Sequence, residues 1–230
     1  MKKIGLIAFI GALILGIVIA SFISFGKLSV NIASFGNGLK GSGNVKTEKR
    51  EVSGFKAVEV DGIFQAEITA GKDFDVQIEA EDNLLPFISV AVKNNVLKIE
   101  TERRISPQKP LIIKIFAPNI ESIETSGAAK VNLNELNNDQ LTLNSSGASY
   151  ISLSGATKNL NVDISGASRL DADDLRSENA EVEASGASRI NIFASNELEV
   201  EASGASQVLY SGKPKELKKN VSGASCVREK

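Results

Sequence analysis

The sequence predicts an all-β fold: a parallel β-helix (β-solenoid) with coils of about 19 residues, a less regular N-terminal section, and one transmembrane helix in front. Three observations predict it. The tripeptide Ser-Gly-Ala starts at Ser126, Ser146, Ser165, Ser185, Ser203 and Ser222, at separations of 20, 19, 20, 18 and 19 residues. Between the copies, apolar and polar residues alternate with a period of two, the signature of strands with one buried face. The chain also opens with an uncharged run from Ile4 to Gly26, long enough to cross a bilayer, which takes about 20 apolar residues.

Residues 1–26 are expected to be an N-terminal anchor. A secretory h-region usually takes about 7 to 15 residues, so a retained span is favoured over a cleaved signal peptide, although Val18-Ile19-Ala20 would serve as a cleavage site. Lys2 and Lys3 favour a cytoplasmic N-terminus, which places the body outside the membrane. No Cys stands near the end of the apolar run, which excludes lipid attachment there. Residues 27–54 carry Gly-rich and charged stretches with no sustained apolar period and are expected to form a flexible linker. Residues 55–230 form the solenoid body.

Within the body, Val58, Val60, Phe64, Ala66 and Ile68 stand at even offsets around Gly62, which reads as an atypical first turn. The runs Phe74 to Ala80, Phe87 to Val92, Val96 to Glu100 and Leu111 to Phe116 are strand-like, and Asn94-Asn95 predicts a hairpin and so local antiparallel pairing. In the repeats the inward positions include Leu141 and Leu143, Leu160 and Val162, Leu170, Ile190, Leu198 and Val200. A 13-residue strand would be about 43 Å long, too long for one side of so short a coil, so the chain must bend at the motif. Gly127, Gly147, Gly166, Gly186, Gly204 and Gly223, with Gly62 before them, are therefore expected to be structural repeat turns. Parity places Gly and the second Ser inward. The extra copy Ser154-Gly155-Ala156 reads as an ordinary turn. Lys218 and Lys219 break the apolar parity near the far end, where charge protects an exposed strand edge.

Phe55-Lys56-Ala57-Val58-Glu59-Val60-Asp61-Gly62-Ile63-Phe64, Ala80-Glu81-Asp82-Asn83-Leu84-Leu85-Pro86, and Pro118-Asn119-Ile120-Glu121-Ser122-Ile123 leading into Ser-Gly-Ala together carry a resemblance. The chain is similar, over roughly residues 54–225, to the bacterial auto-transporter adhesin, head GIN domain family. The resemblance implies an exported all-β repeat domain on bacterial cells and transfers no catalytic residues. Family members often carry a secretion or lipoprotein signal, from which the long anchor here departs.

Composition narrows the chemistry. The 230 residues include no His, no Trp and one Cys, which removes most metal, redox and general-base chemistry; the reading is non-enzymatic. Aromatics are 5%, so the core must be aliphatic. The net charge of -2 hides an asymmetry: residues 1–40 hold four of the 26 bases and no acid, leaving 22 bases against 28 acids, net -6, in the body. An acidic body excludes nucleic acid as the expected partner.

Stacked coils would align Asp163, Glu183 and Glu201 in an outward acidic column, with Glu181 and Glu199 in a second. Such a column could hold a cation such as calcium, or be a solvated acidic face; the calcium-binding solenoid repeat is absent. No other cofactor is expected. Lys130, Arg169 and Arg189 share one outward offset and form a basic column that could meet an anionic glycan, and Cys226 takes that offset in the last coil as an unpaired thiol. The functional expectation is a non-catalytic, membrane-tethered, extracytoplasmic adhesion module whose partner is a cell-surface glycan or an envelope protein. A polysaccharide-binding or polysaccharide-cleaving solenoid, and an envelope sensor or scaffold acting through a partner subunit, are the alternatives.

Overall fold

A computed structural model of the chain describes residues 38–230. The expected anchor, and the first part of the expected linker, lie outside the described residues. Among those described, no helix is long and apolar enough to cross a membrane.

The body is a β-solenoid built almost entirely of strands, with a single 3-10 turn at Leu85–Phe87. Strand runs carry Val, Ile and Leu at every second position, and pleating sends those side chains to one face. Parallel pairing then stacks like on like. Leu141 pairs with Leu160, Leu160 with Ala180, Ala180 with Leu198, and Leu198 with Leu217, so the inward column repeats every 18 to 20 residues. The strand after each motif forms a second ladder, in which Val131 pairs with Ile151, Ile151 with Leu170, Leu170 with Ile190 and Ile190 with Val208. Between the two ladders lies one continuous core, mostly Val, Ile, Leu and Ala, with Phe55, Phe64 and Tyr210 also buried in it. A parallel coil pays its backbone hydrogen bonds to the coils above and below, so each interior coil depends on both neighbours.

Gly62 does mark a first turn. The strand Ala57–Gly62 lies directly beneath Ser122–Gly127, 65 residues later, with Gly62 opposite Gly127. The insertion between them builds the N-terminal end. Val96–Thr101 and Ile112–Ala117 extend the two ladders in parallel, while Ile88–Lys93 and Asp75–Glu81 fold back antiparallel. Asn94 and Asn95 have φ of 52° and 64°, the left-handed pair that a tight hairpin of the expected type needs.

The expected linker boundary at residue 54 needs correction. Leu39–Lys40 pairs with Ile105–Ser106, and Val45–Arg50 pairs antiparallel with Asp75–Glu81, so part of 27–54 belongs to the folded body. Apolar periodicity missed it because five of the six side chains of Val45–Arg50 are exposed; main-chain hydrogen bonds hold the strand. Three consecutive polar residues latch the segment in front of it. Glu81, fully buried, accepts from the Gly43 N–H at 2.6 Å and the Gln108 N–H at 2.8 Å. Asp82 accepts from the Ser42 hydroxyl, which holds its carboxyl below the usual range, and Asn83 both accepts from the Ser42 N–H and donates to the Lys40 carbonyl.

At the other end, Glu216–Val221 is exposed along its whole length, with Leu217 and Val221 39% and 42% accessible. Lys218 there bridges Glu197 at 2.9 Å and Glu199 at 3.4 Å.

Candidate functional site

The Ser-Gly-Ala copies form one corner of every coil. Gly62, Gly127, Gly147, Gly166, Gly186, Gly204 and Gly223 all have positive φ and lie over one another in a single column. The Ala N–H of each motif donates to the Gly carbonyl one coil earlier at 2.7–2.8 Å, as Ala148 does to Gly127 and Ala167 to Gly147. A side chain on the upper Gly would occupy the space of that carbonyl. The expectation of inward glycines is corrected here: those of the six Ser-Gly-Ala copies are exposed, because the chain turns at them and the strand parity restarts beyond. The second Ser does point in. Ser149, Ser168, Ser188 and Ser206 are buried, and three of their hydroxyls satisfy corner groups: Ser168 Oγ accepts from the Ser149 N–H, and Ser188 and Ser206 Oγ donate to the Ser185 and Ser203 carbonyls, while the Ser149 hydroxyl has no partner among the described residues. A buried hydroxyl with such a partner costs little, which explains Ser where the ladders use Val or Leu.

Outside, the register stacks Asn144, Asp163, Glu183, Glu201 and Asn220 in one exposed column, so the sequence-predicted acids are adjacent rungs. They line a shallow hollow of about 170 Å³. Among the described residues, no three acidic or Cys side chains converge as a metal cage would require. Like charges on adjacent rungs repel, so Glu183→Gln is expected to raise stability by about 0.5 kcal/mol in low salt and by less in high salt, measured by urea denaturation. The second acidic column ends on a cation: Glu199 stands opposite Lys218.

The basic column holds an aromatic that sequence reasoning passed over. Lys130 pairs with Tyr150, Tyr150 with Arg169, and Arg169 with Arg189, then Gln207 and Cys226 follow. Lys130 Nζ lies 6.0 Å and the Arg169 guanidinium 5.9 Å from the Tyr150 ring, on opposite sides along the stack. Cys226 is exposed and unpaired.

A further hollow lies at the other corner, across the coils, where no sequence-predicted site residue stands. It is a groove of about 1100 Å³ crossing five successive rungs, from Asn119 and Glu121 through Asn137–Gln140, Ala156–Lys158 and Arg176–Glu178 to Phe193 and Ser195. Several local irregularities make this corner. Glu135 has φ 60° and Gly155 φ 124°, and the ladders shift register between Leu133 and Leu136 and between Ser152 and Ser154. Ser154-Gly155-Ala156 is therefore a bend inside a strand that runs from Tyr150 to Gly166, and Gly155 is required because a side chain would strike the Leu136 carbonyl. Within the groove Lys158 bridges Asp139 at 2.6 Å, and Asn138 donates to the carbonyls of Ile120 and Gln140 at 2.7 Å each. Along its rim Asn159, Asn179 and Asn196 form an amide ladder: Asn196 donates to the Asn179 side-chain oxygen and Asn179 to that of Asn159, at 2.9 Å each, and Asn159 donates to the Asp139 carbonyl at 3.2 Å. Arg176 lies over the Phe193 ring, 4.4 Å from its centre.

Residues 54–214 match the family model described as "Putative auto-transporter adhesin, head GIN domain". The chain belongs to this adhesin-like head GIN domain family. Two crystal structures share its fold. A protein from Bacteroides fragilis described as a putative adhesin superposes with a TM-score of 0.70 at 21% identity, over 84% of this chain and all of that one. Another so described, from Parabacteroides distasonis, gives 0.53 at 18% identity, over the same shares. No curated protein matches the chain. The family description and both of these structures carry adhesin names.

In this head GIN domain the strands obey the repeat and the far corner does not. The groove was missed for that reason. A signal did exist: beyond Phe116 the only aromatics are Tyr150, Phe193 and Tyr210, and each has a cation over its ring.

Proposed function

We propose that the protein is a non-catalytic adhesion module, held at the bacterial membrane by residues 4–26 with its N-terminus in the cytoplasm and its solenoid outside. Its partner on this reading is a cell-surface glycan or an envelope protein. The observation that carries the reading is the match of residues 54–214 to an adhesin family, on a body whose apolar side chains fill one sealed interior. Such a body offers partners only its outer rungs and corners, and it holds those in fixed register. The net -6 of residues 41–230 suits exposure at an envelope surface and disfavours nucleic acid.

The test uses intact cells expressing the full chain. External protease should cleave the body, and adherence to a glycan-coated or cell-coated surface should fall on deletion of the gene and return on complementation. A body inaccessible from outside, or adherence unchanged by deletion, would refute the reading.

A further inference from the structure

We propose that the far-corner groove is a binding site for a neutral, polyhydroxylated glycan chain lying across the coils, with Arg176 stacked on Phe193 as its anchor. The proposal rests on the adhesive reading above and names the site and ligand class for it.

Shape comes first. The groove crosses five rungs, four steps of roughly 4.8 Å or about 19 Å, which suits an extended oligosaccharide rather than a compact metabolite. Its walls are rungs of a solenoid, so the polar groups along it repeat at a spacing set by the backbone.

Chemistry narrows the ligand. Phe193 and Ala156 are the only apolar side chains in the lining; the rest are amides, hydroxyls and charges. A protein interface centres on a desolvated apolar cluster, which this lining lacks. Its acids, Glu121, Asp139 and Glu178, are balanced by Lys158, Arg176 and the adjoining Lys56, so the groove carries no net charge to draw an anionic polymer. Two of the acids are already occupied, Glu121 by Lys56 at 2.9 Å and Asp139 by Lys158. Neutral hydroxyls, each both donor and acceptor, match what remains.

Arg176 is the group that the fold alone does not account for. It is exposed, and among the described residues no carboxylate or carbonyl accepts from it, so its five N–H donors are unspent. Stacking on Phe193 fixes the plane of the guanidinium, so two donors can meet vicinal sugar hydroxyls with little ordering cost. Phe193 is itself held, since its carbonyl accepts from the Ser177 hydroxyl.

The experiment passes the full-length protein in detergent over an immobilised array of neutral and anionic oligosaccharides. Neutral glycans are expected to be retained, and retention should persist at high salt. Arg176→Ala should weaken binding about tenfold, the effect of losing hydrogen bonds from a charged donor, with an unchanged thermal transition. Arg169→Ala and Arg189→Ala, on another face, should bind as the parent does. Binding that needs Arg169 or Arg189 but not Arg176, or retention of anionic glycans alone, overturns the proposal. So does a silent array. If cells adhere while the array is silent, the groove assignment falls and the adhesive reading stands.

Discussion

Gly166→Ala should cost the solenoid about 3 kcal/mol. Two effects add. Gly166 has φ 102°, where a residue with a side chain is strained by about 1–3 kcal/mol. The new methyl would also meet the Gly147 carbonyl oxygen, with Gly147 N at 3.0 Å, and push apart the Ala167 N–H bond to that carbonyl, a contact of 2.8 Å worth about 1 kcal/mol. In a domain of this size the loss corresponds to a fall in Tm of roughly 6–12 °C, read by circular dichroism at the β-sheet minimum. Gly71→Ala is the control. Gly71 also has positive φ, 76°, but nothing lies within 4 Å of the place its side chain would take, so only the backbone strain of about 1 kcal/mol should appear. Equal losses in the two variants would show that coil stacking has no need of the missing side chain, and the explanation of the repeat would be wrong.

Glu81→Ala should release the N-terminal segment without unwinding the coils. Three backbone N–H groups converge on this one buried carboxylate: Gly43 at 2.6 Å, Gln108 at 2.8 Å and Lys109 at 3.4 Å. Each would lose its acceptor, at about 1–3 kcal/mol for a donor that stays buried. The chain can escape most of that cost by letting Gly41–Gly43 swing into water, so the net loss is about 3 kcal/mol and is confined to the latch. Hydrogen exchange should then quicken at Gly43, Gln108 and Lys109 while the corner amides of Ala148 and Ala167 stay protected. Limited trypsin digestion should cut first at Lys40, directly before the released Gly41–Gly43, while the paired strand Val45–Arg50 stays protected. Even loss of protection across the whole body would contradict the latch. The same residues explain why Gly stands at position 41, where a side chain would occupy the Glu81 carboxylate.

Both results bear on function through rigidity. The motif corner fixes rung spacing, and rung spacing fixes where Asn137, Arg176 and Phe193 stand along the groove. A glycan site spread over several coils needs that order, since each coil supplies one or two polar groups and no single coil makes a pocket.

The strands were legible residue by residue. Leu141, Leu160 and Leu198 announce their inward column, and Asn94-Asn95 its hairpin, because a period of two and a tight turn are local matters of backbone geometry. The columns Asp163-Glu183-Glu201 and Lys130-Arg169-Arg189 were legible for the same reason: equal offsets from equal motifs must stack. Tyr150 belonged to the second column by the same arithmetic. Val45–Arg50 was not legible, since a strand held by main-chain bonds and surface ion pairs leaves no apolar trace. Nor was Glu81, whose burial depends on Gly41 and Gln108, far away in the chain.

The sequence by itself determined the coil length, the aliphatic interior, the corner at each Ser-Gly-Ala and the family, because a repeat writes the same instruction into every rung. Only the tertiary structure decided that Ala57–Gly62 lies under Ser122–Gly127, that residues 38–50 are latched to the body, and that a groove opens at the opposite corner. Those features arise where the chain departs from its period. There, position is set by contacts between distant segments, and no local pattern records them.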